Sequence, residues 1–225
     1  RRVLFRSEIN GVADSIYNKK IYKNVKSLFI EGNVKGANMG YWFPKTEHLT
    51  MEHLNVSTNW SDIGTTKKPV SGYTLSSFIS QNDHQSGYQY VILNGINDKD
   101  LNEYSLNPDI IVMRADDKAH VVGDVVGENI LANLWGHGDV NIGSLKTSSP
   151  VSIVLKMHLN TLEVSLADPT RALSQVEFIT NEDFNVMSDP DGRVSINGKT
   201  MVVNIEALRG STYHFSLQRD NDSSL

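Results

Sequence analysis

The sequence predicts an all-β fold: an antiparallel β-sandwich followed by a small C-terminal antiparallel β-sandwich. Three observations point to it. Short runs rich in Val, Ile, Leu, Tyr and Phe recur along the chain, and several alternate with period two. Gly, Asn, Asp and Pro punctuate them, with Asp191-Gly192 and Asn197-Gly198 as turn signals. One segment alone reads as helix.

In chain order, "KSLFI" (Lys26–Ile30), "MGYWF" (Met39–Phe43) and "HLTMEHLNV" (His48–Val56) are the first strand signals. "YTLSSFIS" (Tyr73–Ser80) alternates but carries hydroxyls on both faces, so its register is ambiguous. "YQYVIL" (Tyr88–Leu93) is nearly continuous, which predicts a strand buried on both faces. "NDKDLNEYSLNP" is the helix. Asn97 caps it, Asp100 stands three residues on, and Pro108 stops it. Leu101, Tyr104 and Leu106 are expected to face a sheet.

"DIIVMRA" (Asp109–Ala115), "AHVVGDVV" (Ala119–Val126) and "NILANLW" (Asn129–Trp135) continue the strand pattern. The Gly/Ser/Thr-rich stretch Gly136–Pro150 then reads as a break. It divides the chain into expected domains of residues 1–145 and 146–225. Beyond it, "VSIVLKMHL", "TLEVSLADP", "SQVEFIT", "GRVSING", "TMVVNIEAL" and "TYHFSL" are short strands with turns between them, the pattern of a small sandwich. The tail "RDNDSSL" is polar.

Composition excludes several classes. The 225 residues are 39% hydrophobic and 21% charged, an ordinary globular balance. Without cysteine there are no disulfides, thiolate metal sites or cysteine nucleophiles. A net charge of −5 offers no basic stripe for nucleic acid. No apolar run reaches the roughly 20 residues of a membrane-spanning helix. The opening "RRVLFRS" reads either as a basic edge strand or as a joint where upstream sequence is missing; "LFRS" also matches a translated sequencing-adapter end.

The search for chemistry yields weak candidates. His48 and His53 are five apart on a strand and point to opposite faces. His137 beside Asp139 is two-ligand loop material, common without a metal. In "HQSGYQY", His84, Tyr88 and Tyr90 have the residue types for proton abstraction. Alternating aromatics on a strand more often pack, and packing is the expectation here. "DPDG" (Asp189–Gly192) reads as a turn, since it lacks the spaced oxygens of a calcium loop. Asp116-Asp117 and Glu182-Asp183 are expected to be solvated. The G-x-S-x-G elbow, the phosphate loop and the dinucleotide fingerprint are absent.

Five segments, in order, carry a family resemblance. "MGYWFP" (Met39–Pro44), "NWSDIG" (Asn59–Gly64) and the stretch from Ser86 to Val122 resemble strands of the family 8 polysaccharide lyases. "LEVSLADPTR" (Leu162–Arg171) and "IEALRGSTYHFSL" (Ile205–Leu217) resemble their C-terminal domain. Gly64 departs from the family's usual Asn, and Ser80–Ser86 lacks a common "DHG" form.

The resemblance implies the end of a large super-sandwich followed by the small C-terminal sandwich. It implies a parent lyase that cleaves uronic-acid-containing polysaccharide, of chondroitin or hyaluronan type, by β-elimination. In that family an α/α toroid supplies Asn, His, Tyr and Arg, with a Glu from early in the β region. None of these maps onto the present residues, so no catalytic residue, metal ligand or cofactor is assigned; calcium in the parent is left open. The implied partners are the toroid and an acidic polysaccharide, and the implied location is extracellular or periplasmic. Trp60, Lys67 and Lys68 are the candidate substrate-rim residues, with packing favoured for the Trp60 indole.

Overall fold

The structure, a computed structural model, describes residues 7–14, 19–32, 34–56, 74–81 and 87–220. It divides into two compact units, Arg1–Pro108 and Asp109–Leu225. All strand pairings described are antiparallel.

The first unit is built on one sheet. Its strands are β1 (Ser7–Ile9), β2 (Val12–Asp14), β3 (Lys20–Ile30), β4 (Met39–Val56), β5 (Thr74–Gln81) and β6 (Val91–Asn94). They run in the order β2-β1-β3-β4-β5, with β6 also on β4. Asn10 and Gly11 close the β1–β2 hairpin with φ of 51° and 75°, as an Asn-Gly turn prefers. The Asn10 side chain then accepts from the N–H groups of Lys26 and Ser27.

Strand β4 runs for 18 residues straight through Pro44, where the sequence predicts two strands. Its pairing with β3 shifts register between Tyr22 and Ser27, opposite the proline segment. A proline cannot donate to the ladder, and an irregularity lets the strand pass it. Strand β6 starts only at Val91, and its side chains are half-buried or exposed. The predicted doubly buried strand is therefore not what forms.

Helix α1 (Asp98–Leu106) is where the sequence puts it. Asn97 Oδ1 accepts from the Asp100 N–H at 2.8 Å, and its amide donates back to the Asp100 carboxylate at 2.7 Å. Leu101 is buried and Tyr104 half-buried, but Leu106 is 74% exposed and does not face the sheet. Tyr104 meets Trp42 edge-on at 5.7 Å. Gly40 makes this packing fit: a Cβ there would stand 2.7 Å from Ile96 Cγ2 and 3.1 Å from Leu101 Cδ1. A cluster of Ile9, Val25, Leu28, Phe43, Leu49 and Met51 forms this unit's core.

The second unit is a closed sandwich. Its strands are β7 (Ile110–Ala115), β8 (Ala119–Asp124), β9 (Asn129–Leu134), β10 (Val140–Ile142), β11 (Leu145–Thr147) and β12 (Ser152–His158). Then come β13 (Thr161–Ala167), β14 (Gln175–Thr180), β15 (Phe184–Ser188), β16 (Val194–Asn197), β17 (Thr200–Asn204) and β18 (Tyr213–Arg219). One sheet runs β10-β11-β14-β17-β16, the other β15-β18-β13-β12-β9-β8-β7. Alternate residues turn inward, as in Gln175–Thr180. Phe178, Met201 and Val203 from one sheet join Leu155, Leu166 and Leu217 from the other in a single core.

The boundary expected at 145/146 falls inside β11, within this unit. Composition suggested a break at Gly136–Pro150 because glycine, serine and threonine crowd there. Yet Val140, Ile142, Leu145 and Thr147 are buried, and Gly143 at φ 58° turns the β10–β11 hairpin. Strand β9 also pairs β12, so residues on both sides of the expected boundary share a sheet.

Candidate functional site

Trp60, Lys67 and Lys68 lie outside the described residues, as do His84 and the His53 side chain. The other predicted candidates are scattered. Asp139 pairs with Lys146 at 2.6 Å rather than joining His137. His120 packs edge-on against Trp135 at 4.8 Å. His158 Nε2 stands 3.7 Å from Glu163. Among the described residues, no three His, Asp or Glu side chains converge to hold a metal.

Ser165 Oγ and His214 Nδ1 meet at 2.7 Å, a pairing the sequence reading missed because the residues are 49 apart. A nucleophilic triad needs an acid on the second ring nitrogen. No carboxylate is hydrogen-bonded to His214 among the described residues, and both residues lie on directly paired strand positions. The contact is a cross-strand polar pair.

The acidic turns are structural. Asp116 accepts from the N–H groups of Lys118 and Ala119 and from Arg114 Nε, and these partners hold its carboxyl below the usual range. Glu182 pairs with Arg219 at 2.6 Å and Asp183 with Lys199 at 2.7 Å, so neither is simply solvated. In "DPDG", Asp189 accepts from the N–H groups of Arg193 and Val194 and from the Tyr213 hydroxyl. Burial pushes the Asp189 carboxyl up, but these bonds and the Arg193 charge outweigh it and leave it below normal. The segment is a turn, as its sequence reads.

Two surface features of the described residues bear on binding. The first is aromatic. Tyr88 and Tyr90 are 68% and 47% exposed, and their rings stack at 5.9 Å with 12° between planes. Tyr41 on β4 tilts against Tyr90 at 6.1 Å. Burial, and then the neighbouring Tyr90, raise the Tyr41 phenol above its ordinary value, so it stays protonated at neutral pH. The sequence predicts packed tyrosines here. They do pack, on each other and through Tyr90 on Tyr41, yet both stay exposed, and the strand starts only after Tyr90.

The second feature is a cavity of about 70 Å³ between the β13–β14 and β17–β18 loops of the sandwich. Asp168, Arg171, Leu173, Leu208, Arg209 and Ser211 are among its lining. Both loops use left-handed backbone, at Arg171 (φ 59°), Ala207 (φ 66°), Arg209 (φ 52°) and Gly210 (φ 85°). Such φ values at non-glycine positions emerge from loop closure and leave no trace in hydropathy.

Comparison with known proteins assigns this architecture. The super-sandwich domain of polysaccharide lyase family 8 matches residues 7–105. The C-terminal β-sandwich domain of the same family matches residues 112–177. The chain belongs to polysaccharide lyase family 8. The two matched regions flank the division at Pro108, so family and structure agree on where the units meet in sequence.

The family 8 members compared share 13–22% of their residues with this chain. Hyaluronate lyase HylB of Enterococcus faecalis is 22% identical over 204 residues, covering 88% of this chain and 20% of the relative. A Paenibacillus xanthan lyase superposes with a TM-score of 0.79 at 19% identity, over 96% of this chain and 22% of that one. A chondroitin AC lyase of Streptomyces coelicolor does so with a TM-score of 0.57 at 13% identity, over 91% and 34%. The structural likenesses support the fold. The chain spans a fifth to a third of the length of these family 8 lyases.

Proposed function

We propose that this chain is the non-catalytic β portion of a larger polysaccharide lyase. The parent would cleave uronic-acid-containing polysaccharide, of chondroitin or hyaluronan type, by β-elimination. A base there removes the proton α to the uronic carboxylate, and the C4–O bond to the leaving sugar breaks. The β portion supports the α/α toroid that carries this chemistry and completes one wall of the cleft. Trp60, Lys67 and Lys68 belong at the rim of that wall. The parent acts outside the cytoplasm, where such polymers are met.

The observation that carries this reading is the succession of two domains of one lyase family along the chain. The test is direct. The purified chain is incubated with chondroitin or hyaluronan while ultraviolet absorbance of unsaturated uronide is followed. No turnover is expected from the chain, and turnover is expected from the full-length parent. Appreciable turnover by the chain alone, or none by the parent on either polymer, overturns the proposal.

A second reading, a stand-alone carbohydrate-binding or adhesive sandwich, is favoured by the exposed Tyr88–Tyr90 stack. Exposed aromatic faces offer apolar contact with polar hydroxyl rims, as ligand sites do. It requires glycan binding by a protein whose upstream sequence is a stalk or anchor rather than a long helical domain.

A further inference from the structure

The cavity between the β13–β14 and β17–β18 loops has a chemical identity that neither family domain assigns. We propose that it is an oxyanion-binding pocket, in which Arg171 and Arg209 hold a carboxylate or sulfate group of an acidic polysaccharide. The pocket argument is independent of the lyase reading; the choice of polysaccharide as the source of the oxyanion rests on it.

The first support is the pairing of the arginines. Arg114, Arg193 and Arg219 each face a carboxylate, at 2.7, 3.4 and 2.6 Å. Arg171 and Arg209 have no such partner among the described residues, and both line the same cavity. In a chain of net charge −5 with 26 acidic residues, two arginines without a carboxylate partner lining one cavity are a local exception to the overall charge.

The second support is the acid beside them. Asp168 is the one carboxylate in the lining, and it is 4% exposed. Its oxygens are already used. Oδ1 accepts from the Thr170 N–H at 2.7 Å and the Thr170 hydroxyl at 2.6 Å, and Oδ2 accepts from the Leu173 N–H at 2.9 Å. Asp168 therefore shapes its own loop, and neither Arg171 nor Arg209 forms an ion pair with it.

The third support is the backbone. Three non-glycine residues of these two loops, Arg171, Ala207 and Arg209, hold left-handed conformations. Such conformations are costly for residues with a Cβ and persist where the surroundings enforce them, often around ligands. Gly210 completes the shape: a Cβ there would lie 3.1 Å from Arg171 Cγ and 3.3 Å from its Nε. The glycine thus lets the Arg171 side chain run closely across the opposite loop.

A guanidinium is weakly hydrated and presents a planar fork of donors that matches carboxylate and sulfate oxygens. At about 70 Å³ the cavity is small, which suits one charged substituent. The polymer would be gripped by one charged substituent while its rings stay outside.

The experiment titrates the 225-residue chain, at constant ionic strength, with sodium sulfate and sodium glucuronate. Unsulfated hyaluronan and chondroitin sulfate hexasaccharides follow. Binding is read by calorimetry and by the arginine Nε–H resonances. Saturable binding is expected, weakened about tenfold by Arg171→Gln or Arg209→Gln and lost in the double variant. Lys156→Gln, an exposed cation on β12, should leave it unchanged. Circular dichroism checks that the variants fold.

Preference for the sulfated hexasaccharide identifies a sulfate ester as the group held, and equal binding of both hexasaccharides identifies the uronate. Native-like affinity in the double variant overturns the pocket. Binding of small oxyanions with neither hexasaccharide bound overturns the polysaccharide as their source. Failure in either sense leaves the uronide assay of the parent lyase unaffected.

Discussion

The two units solve the burial problem differently. The second closes a five-stranded sheet on a seven-stranded one, and a core drawn from both sheets lies between them. The first has one sheet, a helix laid on the Gly40–Trp42 face, and a core cluster of six buried residues. In the sandwich each strand needs only to alternate. In the single-sheet unit the chain must carry β4 past Pro44 with a shift of register, leave space at Gly40 and cap a helix with Asn97. The lesson is that the regular unit rests on volume filled from two sides, and the irregular one on a few singular residues.

That contrast can be broken by substitution. The largest effect should come from Phe178→Ala, which empties a fully buried ring from between the two sheets. A loss of about 3–5 kcal/mol is expected in urea unfolding, with hydrogen-exchange protection lost first across residues 109–225. A loss below about 1 kcal/mol would mean that the sandwich core does not carry its unit.

Asp168→Ala comes next. It strands the Thr170 and Leu173 N–H groups and should cost about 2–3 kcal/mol at pH 7. Burial pushes the Asp168 carboxyl up, but hydrogen bonds from Thr170, Leu173 and Ala172 outweigh it, so the folded value lies below the ordinary one. The unfolded chain then takes up the proton more readily. The contribution is complete above the ordinary carboxylate value, about pH 4, and drains away as pH falls through the folded value. Urea melts should show native stability falling toward pH 3 more steeply than that of Asp168→Ala. Parallel profiles would remove this turn from the account.

The smallest of the three sharpens the comparison from the other side. Gly40→Ala adds one methyl where Ile96 and Leu101 already press in. It should cost about 1–2 kcal/mol, with exchange rising in α1 and β4 and the sandwich amides unaffected. A methyl tolerated without cost would show that α1 has room to shift.

The same contrast governs how far the sequence could be read. Strands of the sandwich such as Thr161–Ala167 and Gln175–Thr180 were legible because one face is core and the other is solvent. The helix was legible from Asn97, Asp100 and Pro108, since capping is local chemistry. The short hairpin β10–β11 was not, because three-residue strands carry too little periodicity to stand out from glycine and serine. The continuity of β4 was hidden by a proline that usually ends strands. The exposure of Tyr88 and Tyr90 was hidden as well, since nothing in their spacing says that the ladder begins one residue later. The arginine cavity was legible only as two family segments. Arg171 and Arg209 are 38 positions apart in sequence, and their place on one cavity depends on loop closure.

The β10–β11 hairpin has a practical consequence for anyone who subclones this chain. A cut at 145/146 looks safe from composition, yet it severs β11 and separates β7, β8 and β9 from the sheet they complete. Strand β12 would then be left as a bare border, its ladder groups toward β9 unpaired over Ser152–Lys156. A naked β-border of that kind recruits further copies of itself. The shortened product should precipitate, whereas a cut after Pro108 keeps every strand of the sandwich with its neighbours.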